Sequence, residues 1–140
     1  MFDHPTAAEL LAAARLQLER NVIPTLADPR LRFQTLVAAN VLAIVERELD
    51  QGEPALAAAW RRMADLAGNR EEQPDGAALR AAVADQSRAL CARIRAGDYD
   101  DGPARRALLA HLRATAAAEL AVANPRYLER LAPRQGGTER

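Results

Sequence analysis

The sequence contains no lysine, one cysteine, one serine and very few aromatic residues, and each shortage removes a class of function. The lone cysteine, Cys91, excludes an intrachain disulfide and any CxxC metal or redox pair. The lone serine, Ser87, lies in a helical pattern without the strained Gly-x-Ser-x-Gly turn of a hydrolase. The two histidines, His4 and His111, are far apart and form no HExxH pair. The glycines are scattered at the ends of helical patterns, so there is no glycine-rich phosphate loop. No apolar run is long enough to span a membrane. The opening Met-Phe-Asp-His-Pro-Thr lacks the basic and apolar regions of a signal peptide. A cytoplasmic protein that binds no membrane is the expectation.

What is present is alanine, leucine and arginine. Hydrophobic residues make up 49% of the 140 residues, enough for a core built from Leu, Val, Ile and Ala. Alanine loses no side-chain entropy in a helix, so its abundance favours helices. Arginine supplies all the basic side chains, and 19 of them balance 19 acidic ones. The signs interleave, as in Glu46-Arg47-Glu48 and Arg70-Glu71-Glu72, without the basic stripe of a nucleic-acid binder.

The periodicity predicts an all-α, single-domain bundle of about five helices plus a short C-terminal helical turn. Thr6-Ala7-Ala8-Glu9 reads as a capping box opening the first helix, which Pro24 ends or kinks. A second helix spans about Arg30–Gln51 and stops at Gly52. Its apolar residues cover more than one face, so it is expected to be central, against the first, fourth and fifth helices. Pro54 then starts a third helix carrying Leu56, Trp60 and Met63 on one stripe. Asp75 caps a fourth, with Leu79, Val83, Leu90 and Ile94 inward and Gly97 past its end. Pro103 starts a fifth, with Leu108, Leu109, Leu112, Ala116 and Leu120 inward. Proline disfavours the α conformation before it, so this helix ends near Ala123 and Asn124-Pro125 opens a further turn. Tyr127, Leu128 and Leu131 are expected to fold that turn back onto the core. The domain spans residues 1–131, and residues 132–140 read as a mobile tail.

Catalytic and metal chemistry find little footing. Asp98, Asp100 and Asp101 resemble the start of a calcium loop, but its twelfth position is Leu109 where a carboxylate is needed. Cys91 among Leu90, Ala92 and Ile94 reads as an inert buried thiol rather than a partner for His111. No catalytic residue, metal or cofactor is assigned. Asn40, set among Val37, Val41, Leu42 and Ile44, reads as a buried amide. It serves either as a structural hydrogen bond or as the polar anchor of a pocket. Arg47 and Glu48 on the same helix, Arg95, Arg113, and the Asn124, Arg126 and Tyr127 group are further candidates for ligand or partner binding. Each is equally readable as a surface or helix-end group.

Four segments together carry a resemblance. They are His4-Pro5-Thr6-Ala7-Ala8-Glu9-Leu10-Leu11, the run from Val37 to Leu49 centred on Asn40, Ile94-Arg95-Ala96-Gly97, and the run from Leu120 to Leu128 containing Asn124-Pro125-Arg126-Tyr127. In this order the chain resembles, over Met1 to Leu131, a bacterial family of short helical proteins of unknown function. Members tend to be encoded beside aminoglycoside-phosphotransferase-like kinases and acyl-CoA dehydrogenases. With no catalytic constellation in the sequence, the expectation is a non-enzymatic accessory protein, and the resemblance implies a kinase-like or acyl-CoA dehydrogenase-like partner for it. The alternative is a module that binds acyl-CoA or another carboxylate near Asn40. Alanine-rich helix faces suit a homo-oligomer as well as internal packing.

Overall fold

The structure, a computed structural model, describes residues 4–69 and 72–131. The expected tail over 132–140 lies outside the described residues. The fold is all-α: α1 (Ala7–Gln17), α2 (Pro29–Ala67), α3 (Gly76–Arg95), α4 (Gly102–Ala123) and α5 (Pro125–Leu131), with no strand among the described residues. The residues group into two compact units, Met1–Gly52 and Glu53–Arg140, and the division falls inside α2.

In the first unit the capping box forms as the sequence implies. Thr6 Oγ1 accepts from the Glu9 amide at 3.2 Å, and the Thr6 amide donates to Glu9 Oε2 at 2.6 Å. That backbone bond, then the His4 imidazole, hold the Glu9 carboxyl below its usual range. Pro24 reshapes the end of this helical run rather than cutting it. Its missing amide and bulky ring disturb the preceding turn, and residues Leu18–Val22 widen into a π-helical turn, with the Ile23 amide reaching back to the Leu18 carbonyl. A short 3-10 turn, Ile23–Thr25, follows and buries Ile23. Arg15 of α1 then meets α2, its Nε donating to Glu46 Oε2 at 2.9 Å while a second nitrogen reaches Glu19.

Helix α2 departs from the expected pair of helices. Gly52 does not stop it, and Pro54 lies in its interior rather than at the first position of a new helix. The proline leaves the Asp50 carbonyl without its usual donor, a cost of about 3 kcal/mol. The run Ala55 to Ala59 resumes strong helix formation, and burial of Trp60, Met63 and Ala64 anchors the C-terminal half. The N-terminal half is not the all-round buried helix anticipated. Ala39 is 2% exposed, yet Phe33, Leu36, Val37, Val41, Val45 and Leu49 are all exposed. Asn40 is exposed too, so it is no buried core amide.

The second unit holds the best-packed core. Trp60 and Ala64 of α2 close on Leu79 of α3, with Leu56, Ala57, Ala82 and Val83 around them. Leu79, at 1% exposed, is the most buried of these. Asp75 is the N-cap of α3 by position, but its side chain makes no capping bond. Gly97 follows the end of α3 at φ 90°, where only glycine sits without strain, and lets the Asp98 amide reach the Arg93 carbonyl. On α4 the buried residues are Leu108, His111 and Val122, while Leu109 and Leu112 are exposed. The inward face is therefore displaced from the one the leucines suggest. Ile94 is likewise exposed at the edge of α3. α4 ends at Ala123, and Asn124 Oδ1 caps α5 by accepting from the Tyr127 amide at 3.1 Å. α5 buries no residue: Leu128 is half-buried, and Tyr127 and Leu131 are exposed, so the turn does not cover the core as expected.

Candidate functional site

Within the second unit, the last turns of α2, the end of α3 and the first three turns of α4 line an open cavity of about 560 Å³. The α4 side of it is formed largely by small side chains, Ala104, Ala107 and Ala110. Leu66 and Pro103 add apolar wall. The polar lining is Arg62 and Asp65 from α2, Arg93 from α3, Tyr99 from the α3–α4 turn and His111 from α4.

One wall is locked by its own bonds. Arg93 donates to Asp98 Oδ2 at 2.9 Å and to the Leu66 carbonyl at 3.4 Å, and its guanidinium lies 5.0 Å from the centre of the Tyr99 ring. Tyr99 is buried, and its hydroxyl donates to the same Leu66 carbonyl. The final turn of α2 thus finds donors for a carbonyl that has no partner within the helix. Arg93 and Tyr99 are consequently fixed as a rigid, cationic and aromatic border.

The opposite side is different in kind. Arg62 uses one terminal nitrogen on Thr115 Oγ1 at 3.3 Å, but its Nε is buried without a partner. His111 is only 7% exposed, and its Nδ1 is also buried without a partner. Burial first, and the positive charge of Arg62 second, push the His111 pKa below the usual histidine value. The imidazole is therefore neutral at pH 7. Buried polar atoms normally find partners, so these two unpaired nitrogens, each on a residue that lines the cavity, stand out. Asp101 makes no side-chain cap at the start of α4, which leaves the amide of Ala104, a lining residue, without that acceptor. The positive end of the α4 dipole adds to the same field.

The residues singled out from the sequence lie elsewhere. Asn40, Arg47 and Glu48 belong to the first unit and are not among the residues that line the cavity. Arg95 and Arg113 are exposed on α3 and α4 and do not line the cavity. Asn124 is engaged as a cap, Arg126 is exposed, and Tyr127 is exposed with Arg130 over its ring at 5.9 Å. Cys91 is exposed on α3, not buried, and does not line the cavity beside His111. Sequence reasoning missed His111 and Arg62. A signal for the first existed: Leu108, His111, Thr115 and Val122 follow each other at spacings that keep them on one helical face. Among the described residues, no group of three or more His, Cys, Asp or Glu could hold a metal ion, and no helix is long and apolar enough to cross a membrane.

Fold and site together define a small all-α protein with a preformed, cation-bordered cavity. A family model described as a domain of unknown function, DUF6285, matches residues 24–127, about three quarters of the chain. The protein belongs to that family. No curated protein and no solved structure matches the chain.

Proposed function

We propose that this protein is a binding module for a small carboxylate with a compact apolar body. The carrying observation is that two residues lining the same cavity, Arg62 and His111, each hold a buried nitrogen without a partner. A carboxylate accepts from a guanidinium and from an imidazole N–H at once. The alanine floor takes the apolar remainder, and cavities of roughly 300–1,000 Å³ are the usual size for such ligands. The carboxylate site is thus read on residues of the second unit, and Asn40 is not one of them. The accessory role beside a kinase-like or acyl-CoA dehydrogenase-like enzyme, which the family resemblance implies, fits a module that holds a carboxylate for another protein. Cys91, a free and exposed thiol, suits the reducing cytoplasm.

Thermal shift and calorimetry against short-chain fatty acids, hydroxy acids, acyl-CoAs and nucleotides test the reading. A ligand at a hundredfold excess over Kd stabilises by about 2.7 kcal/mol. The matching neutral amides should bind far more weakly, and Arg62→Met should abolish the response. A flat response across the panel sinks the proposal. Co-purification with the two enzyme types tests the accessory role separately, and no association at micromolar concentrations counts against it.

A further inference from the structure

We infer that the N-terminal half of α2 is a self-association surface, on which two copies of this chain pair antiparallel about a two-fold axis through Asn40. At 100° per residue, Phe33, Val37, Asn40, Val41 and Ile44 fall within an arc of about 100° on the helix. The opposite face is already occupied: Ala39 is buried there, and Glu46 binds Arg15 of α1. α1 therefore cannot reach the apolar arc. Phe33 is 66% exposed, and Val37 and Val41 are about half exposed. A contiguous apolar surface of this kind marks an interaction site.

The order of residues along the arc selects the occupant. Phe33, Val37, Asn40 and Ile44 are spaced four, three and four apart, the seam of paired helices. Asn40 lies near the middle. Against an apolar partner its amide would be buried without bonds, whereas against a second Asn40 each amide donates and accepts. The ends of the arc carry opposite charges, Arg30 towards the N-terminus and Glu48 towards the C-terminus, both exposed. A parallel pair would set Arg30 against Arg30 and Glu48 against Glu48. An antiparallel pair sets each Arg30 near the partner's Glu48, about 27 Å of helix being matched in this way. Such a surface complements itself, as a two-fold interface requires.

Sedimentation velocity on the full chain over 1–100 µM, as order-of-magnitude limits bracketing a micromolar Kd, provides the test. The parent should show a concentration-dependent dimer. Val37→Asp should be monomeric with unchanged far-UV circular dichroism. Arg30→Glu, at the exposed end of the arc and thus safe for folding, should weaken the dimer at least tenfold. Arg30→Glu combined with Glu48→Arg should restore it. A monomer throughout overturns the inference, whether the face is covered by the rest of the chain or by a different protein. A dimer indifferent to Val37→Asp and Arg30→Glu overturns it equally, because another surface would then be in use.

Discussion

Replacing His111 by leucine should make the protein more stable and remove the carboxylate binding proposed above. The imidazole is 7% exposed and its Nδ1 has no partner. A buried polar group left without a hydrogen bond costs about 1–3 kcal/mol. Leucine has a similar volume and carries no polar atom, so His111→Leu should recover an amount of that order. For a chain of this size that corresponds to a rise in Tm of about 3–10 °C. The pH dependence supplies a second, independent reading. The folded-state pKa of His111 is lowered by burial and by Arg62, so below about pH 6.5 the unfolded chain binds the proton and the folded chain resists it. Stability from this source is full above that value and is lost as pH falls through it towards the lowered folded value. The parent should therefore lose stability more steeply than His111→Leu as the pH falls through about 6.5. Calorimetry or circular-dichroism melts at several pH values measure both effects. A variant less stable than the parent at pH 7.5, or one with the parent's pH slope, would show that the imidazole is satisfied in the folded protein. The orphaned-donor reasoning would then fail.

Other perturbations address other parts of the fold. Pro54→Ala restores an amide for the Asp50 carbonyl inside α2. Set against the entropy that proline removes from the unfolded chain, it should stabilise by about 2 kcal/mol in urea denaturation; a loss of stability would mean that the local geometry needs the proline. Cys91 is exposed on α3, so a thiol reagent should label it in the native protein nearly as fast as in the denatured one, and Cys91→Ala should change stability by less than about 0.5 kcal/mol. Ending the chain after Ala123 removes a single half-buried leucine, Leu128, along with α5. The cost should be about 1 kcal/mol, and a truncated chain that is insoluble or unfolded would reveal a larger role for that turn.

The parts of the fold legible in the sequence were those decided within a few residues. Thr6 and Glu9 bond to each other's backbones, and Asn124 caps the turn that Pro125 opens, because the partners lie three residues apart. The helix-breaking strength of Gly52 and Pro54 is equally local, yet it was overruled. Their combined cost of about 4 kcal/mol falls inside a helix whose far end is tied down by Trp60 and Ala64 packing on Leu79, twenty or so positions later in the chain. The exposure of Asn40 was hidden for a related reason. An apolar neighbourhood in sequence covers every side of a helix, and only the position of α1 decides which side is buried. The site itself depends on Arg62 and His111 meeting from two helices, a juxtaposition that no spacing encodes. What the sequence did carry was the phase of α4, and the exposed Leu109 and Leu112 drew attention away from it.

The alanine floor of the cavity has an evolutionary consequence. Ala104, Ala107 and Ala110 keep the α4 side of the space open by being small, so its dimensions are sensitive to three codons. One substitution to valine or leucine on α4 would shorten the chamber while leaving the cationic border of Arg93 and Tyr99 untouched. Relatives could thus diverge in the size of this cavity while keeping its border. Reading those three positions across the family would sort its members by the size of this cavity.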